Sequence, residues 1–379
     1  MNAPEINIAF EEKAVTAIER SQRGIVLMLV KDRLDIDNRN PAVILSPADI
    51  PDSFDEKTKE QIELALMGYQ NQPSKVLVYA MAIDDEDETD VISNKYDTAL
   101  KKIENIKFNY MAVPTVETDE QVTKIQEWII AQRKKGKGVH AVLPNCEANN
   151  EGIINYTTNE HQKSKYIYMD YGDYGDERES ILTYNAEQYC SRIAGIICGT
   201  PLDMSCTYAP LAELTNVKYP EGWDINEHVK KGELVAFYDG EKVKLSRAVN
   251  SLTDSSSGKG ESFKKIKLVE AMDMINDDIR TTIQDSYIGK YANSYDNKCI
   301  LLVAISGYFD GLVADNIVST YSVDIDIEST KAYLKSNGIV IDDMTDEEIR
   351  QQDTGSNVFI SITAKLLDAM EDFYFKITI

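Results

Sequence analysis

The hydrophobic pattern between residues 24 and 200 alternates between two periodicities. Apolar runs typical of buried strands occupy Gly24 to Val30, Lys75 to Ala82, Phe108 to Val113, Val139 to Leu143 and Tyr166 to Asp170. Helical periodicity lies between and after them, over Val91 to Ile106, Thr118 to Lys134 and Ala186 to Cys198. Strands that alternate with helices predict a mostly parallel sheet covered by helices, which is the α/β class.

One of these helices has clear end signals. Thr118 is a candidate N-cap, because its hydroxyl can accept a hydrogen bond from a backbone N–H of the first turn. The basic run Arg133 to Lys135 lies at the other end, where cations complement the helix dipole, and Gly136 ends the pattern. We therefore expect this helix to begin at Thr118.

From about residue 233 the pattern changes to a mixture of hairpins and longer helices. The predicted elements are a hairpin at Asp239 and Gly240, an amphipathic helix over Phe263 to Tyr287, a second helix over Leu301 to Leu312 with Asp296 and Asn297 as cap candidates, a strand over Tyr321 to Ile327, a capping box of Thr345 and Glu348, and a strand over Val358 to Leu366. This order predicts an α+β domain in the C-terminal part of the chain.

Both end segments alternate like strands but have no evident partner. The apolar face of the first contains Ile6, Ile8 and Phe10, and that of the second contains Phe373, Phe375, Ile377 and Ile379. An apolar strand with an unpaired edge is an aggregation hazard. Each segment therefore needs a sheet edge, either in its own domain or in another chain.

These patterns divide the chain into five segments. They are an N-terminal arm and linker (1–23), an N-terminal portion (24–90), an α/β domain (91–232), a C-terminal domain (233–367) and a C-terminal strand arm (368–379). A chain of 379 residues is long enough for two or three separate cores.

Composition and charge reduce the number of function classes that fit this chain. The chain carries 64 acidic and 40 basic residues, a net charge of −24, which argues against direct nucleic-acid binding because phosphates require clustered Lys and Arg. No apolar run approaches the roughly 18 residues of a membrane helix, and the first ten residues lack a signal-peptide pattern. The five cysteines include no Cys-x-x-Cys pair, so we expect reduced thiols in a cytoplasm.

No strong catalytic or metal site is evident. Cys146 with His140 or His161 is the best available nucleophile and base, and Asp170 would orient the base; ordinary buried or surface side chains explain these residues more simply. The run Asp84 to Asp90 has the oxygen ligands of a calcium loop but lacks the glycine and final glutamate of an EF-hand, so a solvated loop is favoured. Because phosphate-loop and His-x-x-x-His motifs are also missing, we expect no cofactor, no bound metal and no enzymatic activity.

Several stretches carry a resemblance to a known family. They are Pro4 to Phe10, Thr16 to Val26, Arg247 to Leu252, Phe263 to Ile275, Asp277 to Arg280 and Tyr287 to Ser294. Together they resemble the short tail sheath proteins of contractile phages, defective prophage particles and phage-tail-like bacteriocins. The resemblance covers essentially the whole chain and is weakest in the acidic loop and around residues 145 to 235.

This resemblance implies a structural polymer subunit. The α/β domain would have a subtilisin-like topology without protease activity, the α+β C-terminal domain would contact a tail tube, and the two arms would add strands to sheets of neighbouring subunits. The lattice would contract and drive the tube through the target cell envelope. Implied partners are further copies of the chain, the tail tube protein, and the baseplate and tail terminator proteins, without direct contact to nucleic acid or membrane, in a virion tail assembled in the host bacterial cytoplasm.

The long amphipathic helix is the candidate for facing the tube. Its charged residues in this role are Lys264, Lys265, Lys267, Glu270, Asp273 and Arg280. A purely structural role for the helix explains the same pattern equally well. Two alternatives for the whole protein also stay open at this point, an α/β hydrolase-like enzyme and a self-assembling tail or baseplate protein other than a sheath.

Overall fold

The structure is a computed structural model that describes residues 17–18, 20, 22–35, 39–84, 86–170, 175–254 and 258–378, without the side chains of 165–170 and 175–180. The chain forms two compact units. The larger comprises the described residues of Ser21–Met274 and Asp368–Ile379, and the smaller comprises those of Met1–Arg20 and Ile275–Leu367. Each unit is described by itself below.

The larger unit contains the alternating strands and helices. Its strands are β1 (Ile25–Val30), β2 (Ala42–Ile44), β3 (Lys75–Ala80), β4 (Tyr110–Ala112), β5 (His140–Pro144), β6 (Ile153–Tyr156), β7 (Glu160–Asp170), β8 (Gly175–Tyr184), β9 (Asn216–Lys218), β10 (Glu233–Leu234), β11 (Ala236–Tyr238) and β12 (Val243–Leu245). Its helices are α1 (Glu56–Leu66), α2 (Thr89–Ile103), α3 (Val122–Lys134), α4 (Ala186–Cys198), α5 (Ile225–Lys230) and the first part of α6 (Ile266–Thr282). Single 3₁₀ turns lie at Pro47–Asp49 and Glu261–Lys264.

A seven-stranded sheet organises the larger unit. Its strand order is β10-β6-β5-β4-β1-β3-β2, and only β2 runs antiparallel to its neighbour. Alternate residues of the central strand β1 enter two cores: Val26 and Met28 pack with α1 and α4, whereas Leu27 and Leu29 pack with α2 and α3. Burial on both faces explains why β1 is apolar at every position. The predicted parallel α/β sheet is confirmed.

The sheet crosses two predicted domain boundaries, at residue 90 and at residue 233, because β10 of the predicted C-terminal domain pairs with β6. Strands β1 to β3 lie within residues 24–90, and β4 to β6 lie within 91–232, yet all six belong to the same sheet. The expected divisions at residues 90 and 233 therefore fall within one sheet of this fold. Hydrophobic periodicity identifies strands but does not identify their neighbours, because parallel strands are joined by crossovers and pair with residues distant in sequence.

Two predicted helix caps are corrected. Helix α3 begins at Val122 rather than Thr118, because Thr118 donates its hydroxyl and its backbone N–H to the buried carboxylate of Glu187. The helix over Leu301 is capped by Ser294, whose hydroxyl accepts from Asn297 N at 3.3 Å, rather than by Asp296 or Asn297. In the first case a carboxylate 69 residues away binds the expected cap residue, and in the second case a neighbouring serine provides the cap.

Smaller antiparallel elements follow the sheet. The predicted hairpin is confirmed: β11 pairs with β12, and Gly240 has φ of +101° in the turn. The carboxylate of Asp239 accepts from the backbone N–H groups of Glu241 and Lys242, both at 2.9 Å. A second sheet has the order β8-β7-β9, and β7 contains the predicted strand Tyr166 to Asp170.

The smaller unit has fewer elements. They are the end of α6, a π-helical turn (Ile283–Tyr287), α7 (Tyr295–Ala314), β13 (Val318–Ile325), α8 (Ile327–Ser336), α9 (Asp346–Gln351) and β14 (Ile360–Leu366). Strands β13 and β14 pair antiparallel, with Val323 opposite Ile362. The predicted capping box of Thr345 and Glu348 begins α9. The strand pair and the packed helices confirm the expected α+β arrangement.

Helix α7 is apolar and long enough, by composition alone, to cross a membrane, with a mean hydropathy of 1.3 over its most apolar window. It is nevertheless a core helix within its own unit. Leu301, Ile305 and Leu312 are buried, and the ring of Phe309 stacks on Tyr321 of β13 with centroids 5.2 Å apart. The sequence predicts this helix only over Leu301 to Leu312, because polar residues interrupt its apolar positions, and the helix spans Tyr295–Ala314.

A close approach of α1 and α4 gives a test of the larger unit. A Cβ at Gly195 would lie 2.1 Å from the carbonyl oxygen of Ala65, so Gly195→Ala should lower the free energy of unfolding by about 1–3 kcal/mol. Gly307 in α7 has open space around it, so Gly307→Ala should stabilise by about 0.5–1 kcal/mol. Urea unfolding followed by circular dichroism measures the free energy of unfolding of both variants. Equal changes in the two variants would contradict the close packing of α1 on α4.

Candidate assembly interface at the C-terminal segment

The chain leaves regular structure directly after β14. The N–H of Leu367 donates to the carbonyl of Ile317 at 2.9 Å, which extends the pairing of β14 by one bond. Residues 367–378 then contain no helix and no strand. The predicted strand over Phe373 to Ile379 is therefore not formed within the described part of this chain, since it finds no sheet edge there.

The first residues of this segment, Asp368 to Glu371, are called its base here, and ion pairs fix their position. The carboxylate of Glu371, only 6% exposed, lies 2.9 Å from Lys265 Nζ and 3.7 Å from Arg247 Nε, and accepts a hydrogen bond from Thr207 Oγ1 at 2.6 Å. Lys265 Nζ also contacts Asp368 at 2.5 Å. Burial would lower the pKa of Lys265, but these two carboxylates hold it above its ordinary value. Several charge-assisted bonds thus hold the base in place.

The residues after the base are exposed. Phe373 is 62% exposed, Phe375 84% and Ile377 83%. The rings of Phe373 and Phe375 lie nearly parallel, with centroids 6.2 Å apart, so alternate residues point to the same side. An exposed apolar row of this kind marks an interaction surface. The predicted residues Ile379, Ile6, Ile8 and Phe10 lie outside the described residues.

The predicted tube-facing residues separate into two groups. Lys264 pairs with the exposed Glu261 at 2.7 Å, and Arg280 pairs with Asp277 at 2.7 Å; both lie near the surface. Lys267 is instead 6% exposed and donates to the carbonyl of Asp203 at 3.0 Å. Lys265 holds the C-terminal base, as described above. A tube-facing role stays a prediction for Lys264 and Arg280, the accessible pair.

Glu270 and Asp273 were expected on a surface, but Glu270 is buried and Asp273 is half-buried between Arg133 and His140. Asp273 lies 2.6 Å from Arg133 Nη1 and 2.9 Å from His140 Nε2, and these partners outweigh burial and lower the pKa of Asp273 to about 2. Burial raises the pKa of Glu270 to about 7, although Arg23 opposes this. The surface expectation was wrong because the start of α6 is buried on several sides, and helical periodicity cannot distinguish a paired interior charge from an exposed one.

The candidate catalytic residues are not activated. Burial raises the pKa of the Cys146 thiol to about 12, whereas a nucleophilic thiol requires a lowered value. Burial lowers the pKa of His161 to about 4, and its ring nitrogens contact Tyr156 Oη and the carbonyl of Tyr184. The side chain of Asp170 lies outside the described residues.

Two carboxylates of the acidic run Asp84 to Asp90 form ion pairs. Asp84 pairs with Arg33, and Asp87 pairs with Lys95 at 2.5 Å. Among the described residues, no group of three or more His, Cys, Asp or Glu side chains is placed to hold a metal ion. The calcium-loop interpretation of this run gains no support from the described carboxylates.

Comparison with known proteins identifies the family. The tail sheath protein of Clostridium phage phiCD119 is 35% identical over 379 aligned residues, which cover 98% of each chain. The chain belongs to the phage tail sheath protein family. The family model for the central domain of these sheath proteins matches residues 90–251, and the model for their C-terminal domain matches residues 258–379.

Solved sheath structures share the fold. The sheath tail protein from Desulfitobacterium hafniense is 18% identical, with a TM-score of 0.65 over 85% of this chain and 94% of that one. The helical sheath of the anti-feeding prophage in its contracted state is 13% identical, with a TM-score of 0.66 over 100% and 99% of the two chains. The chain thus shares its fold with these sheath proteins.

The residues that fix the C-terminal base were missed in the sequence. Glu371 and Asp368 belong to a short acidic stretch between two apolar alternating runs, and that position was the available signal. Their partners Thr207, Arg247 and Lys265 come from distant segments. Only the folded chain brings them together.

Glu270 predicts a pH dependence of stability. Its folded pKa of about 7 lies above the ordinary value of 4.5, so the folded chain holds this proton more tightly. The resulting stabilisation is fully present below pH 4.5 and is lost as the pH rises through 7. Between pH 5 and pH 8, the free energy of unfolding of the wild type should fall by at most about 3 kcal/mol relative to that of Glu270→Gln. The fall is about 1.4 kcal/mol per pH unit between the two pKa values.

Urea unfolding at several pH values measures this difference. The conservative amide variant keeps the shape of the side chain and removes only the titration. A constant difference between the two proteins across this range would show that Glu270 is not held protonated.

Proposed function

We propose that the protein is a structural subunit of a contractile tail sheath, which polymerises helically around a tail tube and contracts to drive the tube through a target cell envelope. The observation that carries the proposal is the C-terminal segment, whose base is fixed by Glu371 and whose apolar row at Phe373, Phe375 and Ile377 is exposed. This row pairs with an adjacent subunit. Family membership and the similar contracted sheath support the same function.

The two-stranded sheet of β13 and β14 is the proposed acceptor for a neighbour's arm. Its strands pair only with each other among the described residues, so each keeps an outer edge. A two-stranded sheet is marginally stable in water, and an added strand satisfies its free backbone groups. Each hydrogen bond contributes roughly 0.5–1.5 kcal/mol, so a few bonds per arm hold a lattice of many subunits.

The partners follow from this role. They are further copies of the chain, the tail tube protein, and the baseplate and tail terminator proteins, with no direct nucleic-acid or membrane contact. A similar chain in the anti-feeding prophage baseplate, with a TM-score of 0.60, supports the baseplate contact. The protein assembles in the host bacterial cytoplasm and becomes part of the virion tail. Contraction moves rigid domains into a better-packed lattice without nucleotide hydrolysis.

We further propose that the protein is not an enzyme. A crevice of about 840 Å³ lies where β1, β3 and β4 end, the place where α/β proteins commonly bind substrates. Its lining residues include Lys31, Arg33 and Asp84 but neither a histidine nor a cysteine. Arg33 and Asp84 pair with each other. The crevice therefore does not contain the Cys146 and histidine pair on which the hydrolase alternative rests.

Substitutions in the C-terminal segment test the arm. The double variant Phe375→Ser with Ile377→Ser should abolish tube formation in electron micrographs while the protein stays folded, because it removes the apolar face that enters the neighbour's sheet. The matched double variant Tyr374→Ser with Lys376→Ser alters the opposite face of the same segment and should still form tubes. Long tubes from the first variant would refute the arm mechanism. Closed particles from the wild type would instead favour another self-assembling tail protein.

Net charge predicts a salt dependence of assembly. Subunits of charge −24 repel one another, and salt screens this repulsion, so polymerisation should increase between 50 mM and 500 mM NaCl. Pelleting of polymer by ultracentrifugation measures the effect. Loss of polymer with rising salt would mean that ion pairs between subunits, rather than strand pairing, hold the lattice.

A further inference from the structure

One short stretch holds the bases of both end segments. Lys265, immediately before α6, binds Asp368 and Glu371 at the base of the C-terminal segment. Five residues later, Glu270 binds Arg23, which lies where the N-terminal segment enters the sheet. All of these residues belong to the larger unit.

The contact of Arg23 involves both the backbone and the side chain of α6. Its Nη1 donates to the carbonyl oxygen of Glu270 at 2.9 Å, and its Nη2 lies 3.4 Å from Glu270 Oε1. The next residue, Gly24, has φ of +75° and accepts from Ser74 N at 2.8 Å before β1 begins. Arg23 therefore fixes the point at which the chain turns into the central strand.

The stretch between the two anchors is rigid. Ile266, Leu268, Val269 and Ala271 are each at most 5% exposed. The N–H of Val269 donates to the carbonyl of Lys265 at 3.1 Å, so the first helical turn begins at the lysine itself. A buried, hydrogen-bonded helical turn transmits a displacement because its packing leaves little room for compensation.

The C-terminal anchor is connected to this turn by a second route. Thr207 Oγ1 donates to Glu371 and accepts from the N–H of Ala248 at 3.0 Å. The carbonyl of Ala248 in turn accepts from the N–H of Ile266, the first residue of α6, at 3.2 Å. Movement of Glu371 is thereby passed to the start of the helix through hydrogen bonds as well as through Lys265.

We propose that Lys265 to Ala271 is a coupling element that links the base of the C-terminal segment to the base of the N-terminal segment, with Lys265 and Glu270 as positioning residues. Its importance in assembly rests on the proposed function, in which each segment binds a different neighbour. Tension on one arm then reaches the other through one helical turn. The link itself exists in the unassembled subunit and is testable there.

Coupling between two sites is reciprocal. If loosening the Lys265 anchor promotes opening at Arg23 by some factor, loosening the Arg23 anchor must promote opening at the C-terminal base by the same factor. Two hydrogen-bonded amides report these openings. Ser74 N–H is bonded to Gly24 O, and Ala248 N–H is bonded to Thr207 Oγ1, which donates to Glu371 at the C-terminal base.

Residue-resolved amide hydrogen exchange of the full chain tests the link, at a concentration where sedimentation shows no polymer. Arg23→Ala should increase exchange at Ser74 and also at Ala248. Lys265→Ala should increase exchange at Ala248 and also at Ser74. We expect the exchange rate to rise about three- to tenfold at the adjacent amide, because one or two charge-assisted bonds are lost there. At the remote amide we expect a rise of at least about twofold.

Lys264→Ala is the matched control. Lys264 neighbours Lys265 but pairs with the exposed Glu261, so its loss should leave both amides unchanged. If each variant changes exchange only at its adjacent amide, the two anchors are independent and the proposal is wrong. If neither variant changes exchange at any amide, the contacts of Arg23 and Lys265 do not hold the segments, and the proposal is also wrong. Because no polymer is present, either result is separate from the tube-formation test of the sheath function.

Discussion

Backbone N–H and C=O groups at a strand edge have to find partners, and this requirement constrains the whole subunit. The central strand β1 satisfies it on both sides, through β3 and β4, and forms the stable centre of the larger unit. The β13 and β14 pair satisfies it only between its own strands. The segment after β14 does not satisfy it within the described part of the chain. In the proposed assembly, the C-terminal segment is the donor strand and the pair of β13 and β14 in another copy is its acceptor, so the subunits polymerise by strand addition.

The position of the exposed C-terminal segment depends on charged side chains that are partly buried. Lys265, Glu371 and Arg247 form one group, and Arg133, Asp273 and His140 form another. Ion pairs of this kind add little net stability, because desolvation offsets their attraction, but they fix direction well. A polymer subunit benefits from direction, since an arm that leaves its base at a defined place meets its acceptor at a lower entropic cost.

Covered thiols and imidazoles and exposed strand edges, both found among the described residues, fit a structural protein. The described histidines and cysteines of the α/β sheet are covered by packing, so burial raises the pKa of Cys146 and lowers that of His161. The crevice at the ends of β1, β3 and β4 is polar but internally paired. An α/β architecture used by many enzymes here provides a rigid body between two connecting segments.

The sequence by itself determined the class of each main element: the apolar run of β1, the hairpin around Gly240, the capping box at Thr345 and the alternating row at Phe373. These features are local, because propensity and periodicity act over a few residues. The tertiary structure alone decided which strands share a sheet, that Glu187 takes Thr118 away from its expected cap, and that Glu270 is buried and Asp273 half-buried. It also joined Glu371 to Lys265, 106 residues away in the chain. Periodicity specifies a face, but only the folded chain specifies what covers that face, because partners distant in sequence are brought together by packing.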